Sequence, residues 1–141
     1  MSASWILNAV LAALFAGATA VIAKLGLVGV NADLATLIRT AFVLIFLCGI
    51  YLALHGAPPV TDLSGKVVLF LALSALTTAL SWLFYYRAIQ AGPVAAVAAI
   101  DKGSIIVTAL LAALILGETL TLKVIGGAVF VALGLWLMIV R

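Results

Sequence analysis

The sequence has little charge and few of the residues that perform chemistry. Only 8% of its 141 residues are charged, and it contains one cysteine, Cys48, and one histidine, His55. A single cysteine excludes a disulfide within the chain, and no metal-ligand cluster is present. The lone thiol and imidazole provide no nucleophile with its base, so the sequence does not indicate an enzyme. The basic residues are scattered singly, which is unlike a nucleic-acid-binding stripe. We therefore expect no cofactor, no metal and no nucleic-acid partner.

What the chain has in abundance is apolar residues, which make up 68% of it. They come in long runs rather than in stripes, which excludes a soluble domain of this size. Each of five runs has about the 20 residues that a membrane-spanning helix needs. The runs cover approximately residues 5–25, 34–54, 67–88, 93–116 and 122–140. The sequence thus predicts an all-α integral membrane bundle of five transmembrane helices, a single domain over residues 1–141 whose surroundings are the lipid bilayer.

Short polar residues mark the connections between the runs. Asn31 or Asp33 is expected to cap the second helix, and Thr119 or Thr121 the fifth, because a side-chain oxygen can accept from the first free N–H groups. The longest loop covers residues 55–65 and contains Pro58-Pro59. So little sequence lies outside the runs that no soluble active-site domain fits.

The fourth run contains adjacent charges at its centre, Asp101 and Lys102. Asp101 lies ~12 Å beyond Pro93, which fits the first turn of a helix, and is therefore deep in a hydrocarbon core ~30 Å thick. An ionisable side chain there costs roughly 2.5–3.5 kcal/mol on insertion scales. Neighbouring residues project about 100° apart around a helix, so the two are not expected to pair. We expect Asp101 to meet Arg39, or Lys24 as second choice, and Lys102 to point elsewhere.

Gly103 follows this pair and is expected to be a weak point of the fourth helix. A glycine in a helix interior costs ~1 kcal/mol relative to alanine and leaves the backbone accessible. Broken helices near the membrane midplane are a common way for transporters to present backbone groups to a substrate.

The ionisable residues outside helix ends concentrate in one half of the predicted membrane. Such residues usually line a bundle interior or an aqueous cavity and mark a transport path. Aromatic residues of the third run also have the position to line a cavity. The candidate substrate-binding residues are Asp101, Lys102, Arg39, Lys24, Arg87, Trp82 and Tyr86. Structural alternatives stay open: helix-end cations can snorkel to the interface, buried charges can hold helices together, and aromatic rings can simply pack.

The basic residues give only a weak signal for orientation in the membrane. An odd number of spans places the two termini on opposite sides. Lys66 and Lys123 lie on the side of the N-terminus. The opposite side has Lys24, Arg87, Arg141 and, if it snorkels, Arg39. A difference of one or two is small under the positive-inside rule, which is consistent with a chain that inserts both ways.

Three stretches together resemble the EamA domain of the drug/metabolite transporter superfamily. They are Ala91-Gly92-Pro93-Val94-Ala95, the ending Leu116-Gly117-Glu118 followed by Leu120-Thr121, and the glycine-rich last run from Gly126 to Gly134-Leu135. The resemblance covers nearly the whole chain. Family members usually carry two such domains in one chain, as inverted repeats around a central cavity, and this chain is similar to one domain alone. It departs from the family pattern at Ile105, where many members have proline.

The resemblance implies a half-size transporter of small molecules, of the metabolite or drug exporter type. We expect it to work by alternating access in the cell (inner) membrane as an antiparallel homodimer, because two inverted copies would rebuild the inverted repeat. The alternative is a structural or accessory membrane subunit whose charges only hold helices together.

Overall fold

The computed structural model describes residues 4–57 and 63–140, which are helical with short connections. The helices are α1 (Ser4–Gly26), α2 (Ala32–His55), α3 (Gly65–Ala91), α4 (Val94–Lys102), α5 (Ser104–Leu116) and α6 (Leu122–Ile139). Within the described residues, five helices are long and apolar enough to cross a membrane, with α4 and α5 together forming one span, Val94–Leu116. The predicted all-α membrane bundle of five spans is confirmed. Pro58-Pro59 of the predicted loop and Arg141 lie outside the described residues.

Polar caps fix the beginnings of α2 and α6. The side-chain oxygen of Asn31 accepts from the N–H groups of Asp33 at 2.9 Å and Leu34 at 3.2 Å. The hydroxyl of Thr121 accepts from the N–H of Val124 at 3.3 Å. Each cap satisfies donors that have no partner inside the helix. Of the alternatives in the sequence, Asn31 and Thr121 are therefore the caps.

Pro93 and Gly117 delimit the fourth span. Pro93 has an extended ψ of 130°, so it precedes α4 as the cap instead of occupying its first turn. The helix begins one residue later than expected, within the usual uncertainty of a helix boundary. At the other end, Gly117 adopts the left-handed conformation with φ of 70°, which glycine tolerates best. The N–H groups of Gly117 and Glu118 both donate to the carbonyl of Ala112.

The fourth span is interrupted at Gly103, as predicted. The N–H of Gly103 donates to the Ile100 carbonyl at 2.9 Å, and the N–H of Ile106 donates to the Gly103 carbonyl at 3.0 Å. Both bonds connect residues three apart, so the helix tightens locally into a 3₁₀-like turn. A Cβ at Gly103 would lie 2.9 Å from that Ile100 oxygen and 3.3 Å from Cδ1 of Leu135 in α6. The glycine therefore serves both the irregular turn and close packing.

The chain divides into two compact units. Unit 1 combines the chain up to Lys24 with the chain from Ala91 onwards, and contains α1, α4, α5 and α6; α4 and α5 both pack against α6. An apolar cleft of about 270 Å³ in this unit is lined by Ile106, Ala109, Leu110, Leu120, Val124, Ile125, Ala128, Val129 and Ala132. Unit 2 is Leu25–Gln90 and contains α2 and α3.

Among the residues that the structure describes, few side chains are buried in the protein itself. In unit 2 they gather where α2 begins and α3 ends: Leu27, Ala32, Thr36, Tyr86 and Ile89. Elsewhere large apolar side chains remain uncovered, as Leu114 at 82% and Leu122 at 88% exposed illustrate. Lipid tails are as apolar as leucine, so such surfaces are stable in a bilayer and not in water. The fold therefore requires a membrane, or further protein, around its helices.

Candidate functional site

A groove of about 570 Å³ lies in unit 2 between α2 and α3. Its lining residues are Asp33, Thr36, Leu37, Thr40, Val43, Leu44, Leu47, Leu71, Ser74, Ala75, Thr78, Ala79, Trp82 and Leu83. The volume falls within the range of about 300–1,000 Å³ that is typical of small-molecule sites. A mostly apolar wall with a few polar groups is also typical of such sites.

The polar lining residues recur every three or four positions along each helix. They are Asp33, Thr36 and Thr40 on α2, and Ser74, Thr78 and Trp82 on α3. This spacing places residues on one face of a helix, one above the other. Each helix thus presents a polar stripe to the groove.

The hydroxyl groups of the stripes are arranged to accept hydrogen bonds. Thr36 donates to the carbonyl of Ala32 at 2.8 Å, Thr40 to that of Thr36 at 2.7 Å, and Thr78 to that of Ser74 at 2.9 Å. These bonds use the hydroxyl protons inside the helices, and each oxygen keeps acceptor capacity. The groove therefore offers acceptors to a ligand that carries N–H or O–H groups.

An ion pair joins the two helices at one end of the groove. Arg87 Nε lies 2.7 Å from Asp33 Oδ1, and Arg87 Nη2 lies 2.7 Å from Asp33 Oδ2. Such a bidentate pair fixes geometry as well as charge. Nearby, Gln90 Nε2 donates to the Val30 carbonyl at 2.6 Å. Arg87, a predicted site residue, therefore has its charge compensated by Asp33.

Three predicted site residues form a second feature of unit 2, which we call the Arg39 cluster: Arg39, Trp82 and Tyr86. The guanidinium carbon of Arg39 lies 4.2 Å from the centroid of the Trp82 ring and 5.7 Å from that of Tyr86. Both distances fall within the range of cation–π attraction. Among the described residues, the buried Nη1 of Arg39 has no hydrogen-bond partner. The cluster thus contains a stacked guanidinium with an unused donor.

Asp101 and Lys102 contact each other in unit 1. Lys102 Nζ lies 3.1 Å from Asp101 Oδ2, so the prediction that Lys102 points elsewhere is wrong. The Cβ directions of neighbouring residues do diverge, but the flexible four-carbon stem of lysine allows the ammonium to bend back. The predicted contact between Asp101 and Arg39 joins the two units and stays a prediction.

Lys24 lies at the end of α1 and contacts the link before α4. Its Nζ donates to the carbonyl of Gly92 at 3.3 Å. A cation that satisfies a carbonyl at a chain connection fits the helix-end alternative for Lys24. Among the predicted site residues, the structure therefore brings together Arg39, Trp82 and Tyr86, and separately Asp101 and Lys102.

Sequence reasoning missed several lining residues of the groove. From the sequence, Asp33 is expected only as a helix cap, and the hydroxyl residues of α2 and α3 have no expected role. The available signal was their recurrence at three and four positions within apolar runs: Asp33, Thr36, Thr40, Ser74 and Thr78. An intramembrane polar stripe of this spacing indicates one functional helix face.

Comparison with known proteins agrees with this architecture. Residues 3–140 match the model of the EamA-like transporter family. The chain is also similar to a protein of Sinorhizobium sp named "Uncharacterized transporter in cobO 3'region", with 44% identity over 140 residues that cover 99% of each chain. No solved structure matches the chain. The family and the relative point to a small-molecule transporter rather than an enzyme. The chain belongs to the EamA-like transporter family.

Proposed function

We propose that the chain transports its substrate by alternating access as an antiparallel homodimer of inverted five-helix units. The substrate pathway includes the groove of unit 2, and the proposed location is the cell (inner) membrane. Helical bundles with every backbone bond inside a segment are one of the two architectures that can span a bilayer.

The observation that carries the proposal is the polar lining of a groove in membrane-spanning helices. Thr36 and Thr40 of α2 and Thr78 of α3 line it together with Asp33. Polar groups at membrane depth are stable where they line a water-filled cavity or contact other protein, and are costly against lipid. Leu44 and Leu47, also in the lining, are still 63% and 60% exposed. A second protomer that covers this face would enclose the groove.

The glycines of α6 support a contact beyond the single chain. A Cβ built at Gly126, Gly127 or Gly134 meets no atom within 4 Å. Their small size is therefore not required by packing within the protomer. In membranes, small residues at spacings that share a helix face allow another helix to approach closely. This face is a suitable contact for a second copy.

The length of a similar protein and the charge distribution of the chain support the antiparallel arrangement. The Sinorhizobium relative is covered over 99% of its length, so that relative has the length of one such domain. Five spans in each copy, inserted in opposite directions, generate an inverted repeat about an axis in the membrane plane. The weak bias in lysine and arginine permits both insertions.

Cysteine labelling of the C-terminus tests the dual orientation. A cysteine is appended after Arg141 in a Cys48→Ala background, and intact cells are treated with a membrane-impermeant maleimide before and after permeabilisation. The proposal predicts that about half of the chains react from outside and the rest only after permeabilisation. Labelling from one face alone, in a variant that is still active, contradicts the antiparallel dimer.

The alternative function is that of a structural or accessory membrane subunit. It is favoured by the ion pair of Asp101 and Lys102, whose Oδ2 and Nζ atoms lie 3.1 Å apart and whose charges neutralise each other. Charges that compensate each other can hold a helix in place without binding cargo. The double variant Asp101→Asn with Lys102→Met distinguishes the two functions. A transporter loses flux while still inserting into the membrane, whereas an accessory subunit leaves the activity of its host system intact.

A further inference from the structure

We propose that Arg39 is the anion-binding residue of the groove and that the cargo is a small organic carboxylate with an apolar body. The inference rests on the transport function proposed above and names the chemical class of its substrate. It is drawn from the charges of unit 2, the geometry of the Arg39 cluster and the lining of the groove.

In the described part of unit 2, no carboxylate is paired with Arg39. The unit contains two acidic residues, Asp33 and Asp62. Both carboxylate oxygens of Asp33 are used by Arg87, and Asp62 lies outside the described residues. Within the described part of unit 2, the guanidinium of Arg39 makes cation–π contacts with two aromatic rings. A bound carboxylate would supply the missing negative charge.

In the described part of the chain, the buried donor of Arg39 has no hydrogen-bond partner that the anion would have to displace. Nη1 is shielded from solvent and has no hydrogen-bond partner among the described residues. A buried donor without a partner is costly, and more so on a charged group. A carboxylate that accepts from this edge of the guanidinium would remove the cost. The planar fork of arginine matches the two oxygens of a carboxylate better than it matches a neutral carbonyl.

Stacking holds the guanidinium against Trp82, a lining residue of the groove, although Arg39 itself is not one of the lining residues. Its central carbon lies 4.2 Å from the centroid of Trp82, and Trp82 itself lines the groove. Along α2, Arg39 lies three residues after Thr36 and directly before Thr40, so it flanks the polar stripe. When a guanidinium stacks face-on against a ring, its N–H groups lie in its own plane and remain free to donate to other groups. The cluster thus orients the guanidinium of Arg39 and leaves its Nη1 donor without a hydrogen-bond partner among the described residues.

The rest of the groove determines the remaining features of the cargo. Aliphatic side chains form most of the wall and suit an apolar body: Leu37, Val43, Leu44, Leu47, Leu71 and Leu83. The hydroxyl oxygens of Thr40 and Thr78 can accept from one donor on that body. A cationic cargo is disfavoured, since Arg39 repels it and Asp33 is already paired.

Three probes of nearly equal size test the inference: phenylacetate, phenylacetamide and phenethylamine. Binding to the purified protein in detergent is followed by fluorescence of Trp82 in a background with Trp5→Phe and Trp136→Phe. We expect phenylacetate to bind roughly 10- to 100-fold more tightly than the amide, as a charge-assisted hydrogen bond provides. The amine should bind more weakly than either. Equal affinities for acid and amide, or tighter binding of the amine, would overturn the proposal.

Variants connect this preference to Arg39. Arg39→Gln should abolish the difference between phenylacetate and phenylacetamide, and Arg39→Lys should keep a reduced preference for the acid. Lys66→Gln removes the same charge from an exposed position at the start of α3 and should leave all three affinities unchanged. If Arg39→Gln does not fold, Arg39→Lys and the comparison of probes on the parent protein still decide. An unchanged preference in Arg39→Lys contradicts the role of the guanidinium fork.

Failure of this inference is distinguishable from failure of the transport proposal. Binding to the purified protein requires no flux, and counterflow of labelled phenylacetate into proteoliposomes measures flux separately. Arg39-dependent binding without flux supports the anion site and contradicts transport. Flux that is equal in the parent protein and in Arg39→Gln supports transport and overturns the anion site.

Discussion

Arg87 binds Asp33 through two hydrogen bonds of 2.7 Å each, from Nε to Oδ1 and from Nη2 to Oδ2. The pair connects the last turns of α3 to the first turn of α2, although 54 residues separate its members in sequence. It connects α2 to α3 at one end of the groove and neutralises the charge of Asp33. Among the described residues of unit 2, it is Arg39 that has a buried donor, Nη1, without a hydrogen-bond partner.

Exchanging the two charges tests this connection. Asp33→Asn and Arg87→Gln should each lower the midpoint of thermal unfolding in detergent by a small amount, because each breaks a bidentate but half-exposed ion pair. The reversed pair, Asp33→Arg with Arg87→Asp, should recover most of the loss. If the reversed pair is less stable than both single variants, the ion pair does not connect α2 to α3 as described.

The ring of Trp82 should stabilise the protein through Arg39. Trp82→Leu removes the cation–π contact, and a double-mutant cycle with Arg39→Gln should give a coupling of about 0.5–2 kcal/mol in the free energy of unfolding. Phe70→Leu is a matched control, because Phe70 lies on α3 twelve residues before Trp82, or ~18 Å along the helix. Its effect should add to that of Arg39→Gln. A cycle with Trp82 that is also additive would contradict the contact.

The sequence predicted the architecture well because the membrane imposes simple rules on it. Spanning helices need long apolar runs, and their ends need caps, so five spans and the caps Asn31 and Thr121 follow from local patterns. The interruption at Gly103 was also local, since it follows from the helix propensity of glycine.

Side-chain partners were harder to predict because they depend on tertiary geometry. Arg39, Trp82 and Tyr86 were each recognised as candidates, but only the packing of α2 against α3 stacks the cation on the rings. The Lys102–Asp101 contact was excluded by reasoning from Cβ directions, which ignores the reach of a lysine side chain. Polar stripes on two separate helices become one groove only when the helices are placed side by side.

Gly103→Ala should destabilise the protein. The added methyl group would lie 2.9 Å from the Ile100 carbonyl oxygen, so the backbone must shift. Overpacking costs typically 1–3 kcal/mol, and the better helix propensity of alanine returns about 1 kcal/mol. The control Gly49→Ala has open space around its Cβ and should be neutral or slightly stabilising. Equal free energies of unfolding for the two variants would mean that Gly103 is not constrained.

The dimer contact on α6 should be sensitive to bulk. Leucine at Gly127 or Gly134 meets no atom of the protomer within 4 Å of its Cβ, so the fold should survive the substitution. If a second copy packs on this face, either variant should shift the protein from dimer to monomer in mass photometry or light scattering. Gly49→Leu, which also has open space, should stay dimeric. A dimer that persists in both α6 variants places the interface elsewhere.

Water accessibility of the groove tests the central claim, that unit 2 carries a substrate pathway through the membrane. In a Cys48→Ala background, Thr40→Cys places a thiol in the groove, and Ile38→Cys places one on the opposite face of α2. The proposed pathway predicts that a charged methanethiosulfonate reagent modifies Thr40→Cys rapidly in proteoliposomes and that phenylacetate slows this reaction. It also predicts that Ile38→Cys reacts much more slowly, because Ile38 is not one of the groove's lining residues. Equal rates at the two positions, or no reaction at Thr40→Cys, would contradict a transport pathway through the groove.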